Sequence, residues 1–321
     1  MNRSHSQKIL LLGGSGYVGT AFQSYLRGRG VAFRSVSRRE VDYTRKEDLV
    51  RLLRGERPGF LINAAGYTGK PNVDACETDK AATLLGNAVL PGMIREACEE
   101  TGTTWGHVSS GCVFSGRHPS GRGFDERDEP NFSFRRGPCS FYSGTKALGE
   151  ELLAGAENCY VWRLRIPFDE SLSPRNYLVK VMAYPRLLEA ENSISHLGEY
   201  VRACFELWEK EAEPGVYNVT QPGAITTSRV VSWIREEGAR RRAEGGIDPF
   251  PGEFDFFGSE EEFMETAAKT PRSNCVLETG KVLAAGIALT PAEEAVKRSL
   301  RAMEVAPGHV FRNAAPSAGV R

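Results

Sequence analysis

Tyr142 and Lys146 are the pair whose types and spacing most directly suggest chemistry. In Tyr142-Ser143-Gly144-Thr145-Lys146 they stand at i and i+4, which on a helix puts a phenol and an ammonium on one face. A phenol near pKa ~10 is a poor proton donor or acceptor at neutral pH, and a neighbouring ammonium favours the phenolate and draws that value down. Such a pair suits proton transfer at a carbonyl oxygen. A second group is the glycine run Gly13-Gly14-Ser15-Gly16-Tyr17-Val18-Gly19, in which Gly13, Gly16 and Gly19 give G-x-x-G-x-x-G. Glycine permits positive φ in the turn, and the missing side chains let backbone N–H groups approach a pyrophosphate at the helix N-terminus. Strand-like residues precede the run and a helical pattern follows it, the setting a dinucleotide fingerprint requires.

The end of the second strand, Ser37-Arg38-Arg39-Glu40, bears on which dinucleotide is bound. An acidic residue there holds the ribose 2′-hydroxyl of NAD, whereas arginine suits the 2′-phosphate of NADP. Two guanidiniums can hold a phosphate by charge-assisted bonds, so NADP(H) is favoured, with NAD(H) as the alternative through Glu40. Asp42 is added to the expected cofactor contacts.

The elements that must position these groups alternate. Short apolar runs predict strands at Lys8–Leu12, Phe33–Ser37, Gly59–Asn63, Thr104–Ser109 and Tyr160–Ile166; helical patterns fit Tyr17–Arg29, Lys46–Leu53, Ala88–Glu100 and Ser140–Leu153. That alternation is the signature of βαβ units, and the fold class is α/β: a Rossmann-type doubly wound parallel sheet with a small, discontinuous C-terminal substrate lobe. Later, Arg175–Leu188, Leu197–Lys210 and Thr227–Glu237 read as helices and Gly215–Val219 as a strand returning to the sheet. Arg235–Glu244 reads as a solvated charged stretch. Thr290 as N-cap, Pro291 and Glu293 form a capping box opening the last helix. The division expected is a dinucleotide domain over 1–168 with a returning strand near 215–223, a substrate lobe over 169–214 and 224–305, and a mobile tail over 306–321.

Composition narrows the class. Lys+Arg and Asp+Glu both number 41, so no broad basic field exists to hold nucleic acid or an anionic membrane. No apolar run approaches the ~20 residues of a membrane span, and the polar start leads into too short an apolar run for a signal peptide; a cytoplasmic location is expected. The seven cysteines are scattered without a CxxC pair and the five histidines show no metal spacing, so reduced thiols and no metal are expected.

Together with these motifs, other segments carry a resemblance. Asn63-Ala64-Ala65-Gly66-Tyr67-Thr68 resembles the N-A-A-x-x-T segment that closes the cofactor pocket in dTDP-4-dehydrorhamnose reductases, of the extended short-chain dehydrogenase/reductase superfamily. Asn87 falls where that superfamily has an Asn supporting the catalytic Lys. Val108-Ser109-Ser110-Gly111-Cys112-Val113-Phe114 resembles its S-T-D-x-V-F segment, which puts Ser110 at the catalytic Ser/Thr. A closer likeness is to the bifunctional 3,5-epimerase/4-reductases that make nucleotide-linked L-rhamnose. It spans about residues 8–300 and includes Thr68-Gly69-Lys70-Pro71-Asn72-Val73-Asp74, Gly123-Phe124-Asp125-Glu126, Ser140-Phe141-Tyr142-Ser143, Pro174-Arg175-Asn176-Tyr177 and Pro271-Arg272-Ser273-Asn274. One departure is an extra loop, Phe134–Cys139, just before Tyr142.

The resemblance implies NADPH-dependent 3,5-epimerisation and 4-keto reduction of a nucleoside-diphosphate 4-keto-6-deoxyhexose. By the same resemblance, Ser110, Tyr142 and Lys146 serve the reduction, and Cys112 with Lys180 exchanges protons at C5 and C3. Cys139 is a competing thiol. Substrate contacts are expected from Thr68, Ser110, Gly111, Asn176, Lys180 and Arg272. Alternatives are a simple 4-ketoreductase or single-site epimerase, and a non-catalytic regulatory subunit, which would predict degraded catalytic residues. A homodimer is a fold-level expectation only.

Overall fold

Ile9-Leu10-Leu11-Leu12 is apolar at every position and all four side chains are buried, the mark of a strand covered on both faces. The computed structural model describes residues 8–70, 72–305 and 311, and its centre is a six-stranded parallel sheet. The strands are β1 (Ile9–Leu12), β2 (Phe33–Val36), β3 (Phe60–Asn63), β4 (Trp105–Ser110), β5 (Cys159–Leu164) and β6 (Gly215–Asn218), in the spatial order β6-β5-β4-β3-β1-β2. Chain direction across the sheet reverses between β1 and β3, which opens a crevice at their C-terminal ends, the place where such sheets bind ligands.

Helices cover both faces. On one side α1 (Tyr17–Gly28) and α7 (Leu197–Glu209) pack over Ile9, Leu11, Phe60, Ile62 and Trp162. On the other, α2 (Lys46–Glu56) and α4 (Leu90–Thr101) pack over Leu10, Leu12, Leu61 and Val161. α5 (Phe141–Leu152) follows β4 after a long connection and carries Tyr142 and Lys146. A separate apolar cluster joins α6 (Tyr177–Ala183), α8 (Thr227–Ala243) and the last helix, Ala292–Ala302.

Gly106 in β4 shows how tight the centre is. A Cβ there would lie 1.9 Å from the Trp162 ring, which is fully buried between Phe22 and Phe60. Gly106→Ala should therefore overpack the sheet face and lower stability by about 1–3 kcal/mol. Urea unfolding reads this directly, and an unchanged midpoint would contradict it.

Several local expectations are corrected. The helix expected from Ala88 begins at Lys80 as α3 (Lys80–Leu84) and reaches α4 through a π turn at Leu85–Val89. The extra residue rotates the apolar face and leaves Leu85 and Val89 exposed, so no single 3.6-residue period runs through it. The helix expected over Arg175–Leu188 is only Tyr177–Ala183, because Asn176 caps its start and Pro185 forbids continuation past Tyr184; Arg186–Leu187 then pairs as a short strand with Asp255–Phe256.

Thr290 does not cap the last helix. Pro291 occupies the N-cap, one residue too late for Thr290 to cap, and the Thr290 hydroxyl donates to the Glu199 carboxylate at 2.7 Å, a charge-assisted bond. Glu293 pairs with Lys297 rather than closing a capping box. The charged stretch from Arg235 is not a purely solvated face either. It continues α8, and Glu237, 6% exposed, lies between Arg240 and Arg241. Arg241 donates to the carbonyls of Leu300 and Met303. The expected tail over 306–321 lies outside the described residues apart from Phe311, which packs in the second cluster. Among the described residues no helix is long and apolar enough to cross a membrane, and no group of acidic, histidine or cysteine side chains is disposed to hold a metal.

Candidate active site

The crevice is built from two turns that touch. Gly13 has φ +74°, and a Cβ on it would fall 2.4 Å from the backbone nitrogen of Ala65. A Cβ on Gly19 would fall 2.2 Å from the Gly13 carbonyl oxygen. Glycine is therefore required at both places for the loop after β1 to pass the turn after β3. Gly16 takes the N-cap of α1, with no side-chain cap and no acidic residue in the first turn. The first N–H groups of that helix, with Ser15, Tyr17 and Val18, line a side-chain-free cradle of the kind that binds a pyrophosphate. The residues present fit a dinucleotide on this observation. Gln23 donates to the Gly14 carbonyl at 2.8 Å and fixes the loop from below. Tyr17 turns its phenol towards Asp169 and Ser171; burial, then the Asp169 carboxylate, push the phenol up.

Asn63 shapes the opposite wall. Its Oδ1 accepts from Ala65 N at 3.0 Å, and its Nδ2 lies 2.9 Å from His107 Nδ1. Burial, aided by the Lys146 charge, holds His107 well below the usual histidine range, so the neutral ring accepts from the amide. Asn87, presented by the π turn, grips the next residues: Oδ1 accepts from Tyr67 N at 2.9 Å and Nδ2 donates to Tyr67 O at 2.8 Å. The Tyr67 phenol donates to Asp79 at 2.6 Å. Asn87 thus holds the Ala64–Thr68 segment, while Lys146 donates to the Val108 carbonyl at 3.1 Å.

At the second strand's end, Glu40 accepts from both the backbone N–H and the hydroxyl of Ser37 at 2.8 Å, bonds that hold its carboxyl below the ordinary range. Asp42 likewise accepts from Thr44 N and Oγ1. Both acids staple their own turns. Arg38 and Arg39 are exposed, and neither guanidinium is held in an ion pair among the described residues.

The proton-transfer groups converge at the end of β4. Ser140 caps α5 by accepting from Ser143 N at 3.1 Å, and Glu77 accepts from Phe141 N at 2.7 Å. The cap fixes the turn that presents Tyr142. Burial pushes the Tyr142 phenol up, the nearby Cys112 thiol adds to this, and a hydrogen bond with Ser110 works the other way. The charge of Arg165 also works against the rise. Lys146 itself, 5% exposed, is lowered by burial. Cys112 is buried in the short turn after β4, where its N–H donates to Ser110 Oγ at 3.2 Å. Burial raises its thiol; Ser110, Ser143, Arg165 and Lys146 oppose that. Cys139 is less buried and raised by burial. Gly66 closes the assembly: a Cβ there would lie 3.2 Å from Asn87 Oδ1 and 3.7 Å from Lys146 Nζ. The cofactor wall and the catalytic helix therefore face one another.

Ser110, Cys112, Tyr142 and Lys146 are thus brought together; the other expected substrate residues are more dispersed. Lys180 lies on α6, lowered by burial and by Arg175. Tyr177, one turn earlier on the same helix, has its phenol raised by burial, with Arg165 acting the other way. Thr68 receives Arg175 Nη1 at 3.1 Å, and Gly69 O receives Nη2. Asn176 is fully buried, accepting from Leu178 N and donating to the carbonyls of Asp169 and Ser171; its amide holds the loop between β5 and α6. Arg272 pairs with Asp74 at 2.6 Å, joining the Pro271 segment to the loop after β3. Gly111 has no room for a side chain, since a Cβ would meet Leu277 at 2.5 Å.

Two residues were missed from the sequence. Tyr43, 4% exposed, brings its phenol to the Gly13 backbone N–H; Val41-Asp42-Tyr43 offers no pattern that marks it. Arg165 could have been found: Arg163 and Arg165 alternate at the end of an otherwise apolar strand, where charge is rarely buried without cause. The extra loop before Tyr142 lays Phe134 directly on Gly144, where a Cβ would fall 2.2 Å from the ring.

A family model described as the RmlD substrate binding domain matches residues 7–305. The chain is 33% identical over 238 residues to the bifunctional dTDP-4-dehydrorhamnose 3,5-epimerase/dTDP-4-dehydrorhamnose reductase of Arabidopsis thaliana, an alignment covering 73% of this chain and 76% of that one. Among solved structures it is similar to the UDP-rhamnose synthase of Acanthamoeba polyphaga mimivirus, with TM-score 0.82, 20% identity and coverage of 92% and 99%. It is also similar to the dTDP-4-dehydrorhamnose reductase of Bacillus anthracis in complex with NADP, with TM-score 0.73, 17% identity and coverage of 92% and 98%.

Proposed function

We propose, because this chain belongs to the RmlD substrate binding domain family, that it is an NADPH-dependent enzyme that epimerises and then reduces a 4-keto-6-deoxyhexose carried on a nucleoside diphosphate, giving a product of the nucleotide-L-rhamnose type. The observation that carries the reading is the convergence of Ser110, Cys112, Tyr142 and Lys146 on one point beside the glycine cradle. An intact set of proton-transfer groups argues against a regulatory subunit, and a thiol within that set goes beyond what plain reduction needs.

A ketone at C4 acidifies the protons on C3 and C5. Cys112, as thiolate, takes a proton from such a carbon: the C–H bond breaks, S–H forms, and the electron pair moves onto O4. Ser110 and Tyr142 hold that oxyanion by hydrogen bonds, a stabilisation that acts only as charge develops. Lys180, as ammonium, returns a proton to carbon from the opposite face, which inverts the centre and restores the ketone. Gly13, Ser15, Gly16, Tyr17, Val18 and Gly19 would hold the dinucleotide pyrophosphate, Ala64 and Ala65 its inner face, Ser37, Arg38 and Arg39 the 2′-phosphate, and Lys146 the nicotinamide ribose. When bound, the reduced dinucleotide supplies the hydride that C4 accepts. Tyr142 gives its proton to O4, completing the alcohol.

Incubation with NADPH and a panel of 4-keto-6-deoxy sugar nucleotides, with products identified by mass and NMR, tests the reading. Nucleotide consumption and an inverted, reduced sugar are expected; no turnover with any member would overturn it. The arginine pair makes a separate prediction. Charge-assisted hydrogen bonds contribute about 1.5–3 kcal/mol, so replacing Arg38 and Arg39 together by Ala should weaken NADPH about 10–100-fold and leave NADH nearly unchanged. Equal losses for both dinucleotides in a binding titration would remove these residues from 2′-phosphate recognition.

A further inference from the structure

Two arginines end β5, and only one has a counter-charge. Arg163 is 3% exposed and pairs with Glu150 at 2.7 Å. Arg165 is 7% exposed and has no carboxylate partner among the described residues. Its Nη2 donates to Asn192 Oδ1 at 2.5 Å and to the Ser273 carbonyl, while its Nε is buried without an acceptor. Neutral acceptors do not compensate a buried cation, and a fold that keeps one must gain from its charge. The backbone is constrained there too: Arg165 N donates to Ser195 Oγ at 3.1 Å, and the next residue, Ile166, takes φ +39°, a region a β-branched residue avoids. Strain and unpaired charge therefore coincide at one place.

The guanidinium's surroundings indicate what it serves. Its Cδ lies 3.5 Å from where a Cβ on Gly111 would stand, and Gly111 precedes Cys112. Of the thiols nearby, Cys275 is fully buried and donates to the Gly111 carbonyl at 3.2 Å, so it is occupied as a thiol. The groups that bear on Cys112 are Ser110 beside it, Tyr142, Ser143 and Lys146 from α5, Arg165 from the end of β5, and the thiols of Cys76 and Cys139. Of the two cations, Lys146 is committed to the Val108 carbonyl.

We propose that Arg165 is a positioning residue for the proton exchange, a fixed buried cation that stabilises Cys112 as thiolate. This rests on the reading of Cys112 as the carbon base. Arg165 acts through Cys112, as a buried cation beside the turn that carries it.

Alkylation of the full-length protein by iodoacetamide across a pH series, followed at the Cys112 and Cys139 peptides by mass spectrometry, tests it. Arg165→Met should move the Cys112 reactivity midpoint upward by about one pH unit, a tenfold loss of thiolate at fixed neutral pH. Arg165→Lys should restore most of that shift. The Cys139 profile should stay in place, which separates an electrostatic effect from unfolding. A Cys112 midpoint unmoved in Arg165→Met would overturn the proposal. Should that variant not fold, Arg165→Gln takes its place, read by the same two midpoints. If the midpoint moves as expected while solvent deuterium still enters the sugar in Cys112→Ser, the reading of Cys112 as base fails and the electrostatic role of Arg165 stands.

Discussion

Tyr142→Phe is expected to lower the rate of NADPH-coupled ketone reduction by about 10²–10⁴-fold, the range by which a positioned general acid accelerates a reaction. The phenol is held near Ser110 in a setting whose burial keeps it protonated, the form that can give a proton to O4. Phenylalanine preserves the ring and removes only the hydroxyl, so NADPH affinity should stay within a few-fold. Proton exchange at carbon should fall less, because Ser110 still holds the oxyanion. Absorbance of NADPH gives the rate and fluorescence titration the affinity. A variant that keeps more than a tenth of the wild-type rate would show that the proton comes from elsewhere.

Cys112→Ser should separate the two halves of the reaction. A hydroxyl in place of the thiol is too weak an acid to supply the base, and solvent deuterium entry at the carbons next to C4 is expected to drop by about 10²-fold or more. Reduction of a 4-keto sugar nucleotide already inverted at C3 and C5 should stay within a few-fold, since Tyr142, Lys146 and the glycine cradle are untouched. NMR of the sugar after incubation in deuterium oxide reads the exchange. Undiminished label at both carbons would leave Cys112 as one more buried thiol, which is what most free cysteines are.

The parts of the molecule that follow one local rule were readable in the sequence. The alternating apolar runs place β1 to β6, and the glycine spacing places the cradle, because only glycine clears Ala65 and the Gly13 carbonyl. The i, i+4 spacing places Tyr142 and Lys146 on one face. What could not be read depends on where distant segments meet. The charge that Arg165, just past the end of another strand, adds near the phenol follows no spacing in the sequence. Asn176 and Arg272 also bond within the fold, to Asp169, Ser171 and Asp74, contacts that no local pattern announces. The Thr290 hydroxyl was drawn away by Glu199. In each case the partner comes from a segment distant in sequence or from the shape of a loop, so tertiary structure decides it. The π turn at Leu85–Val89 was hidden for a related reason: an added residue in a helix erases the periodicity by which helices are found.

Among the described residues the sheet ends at β2. In the proposed reading, recognition of the cofactor's outer phosphate rests on one short, exposed turn, Ser37 to Glu40. On that reading, exchanging one pair of surface side chains would change which electron donor is taken up while leaving every residue of the reacting centre as it is.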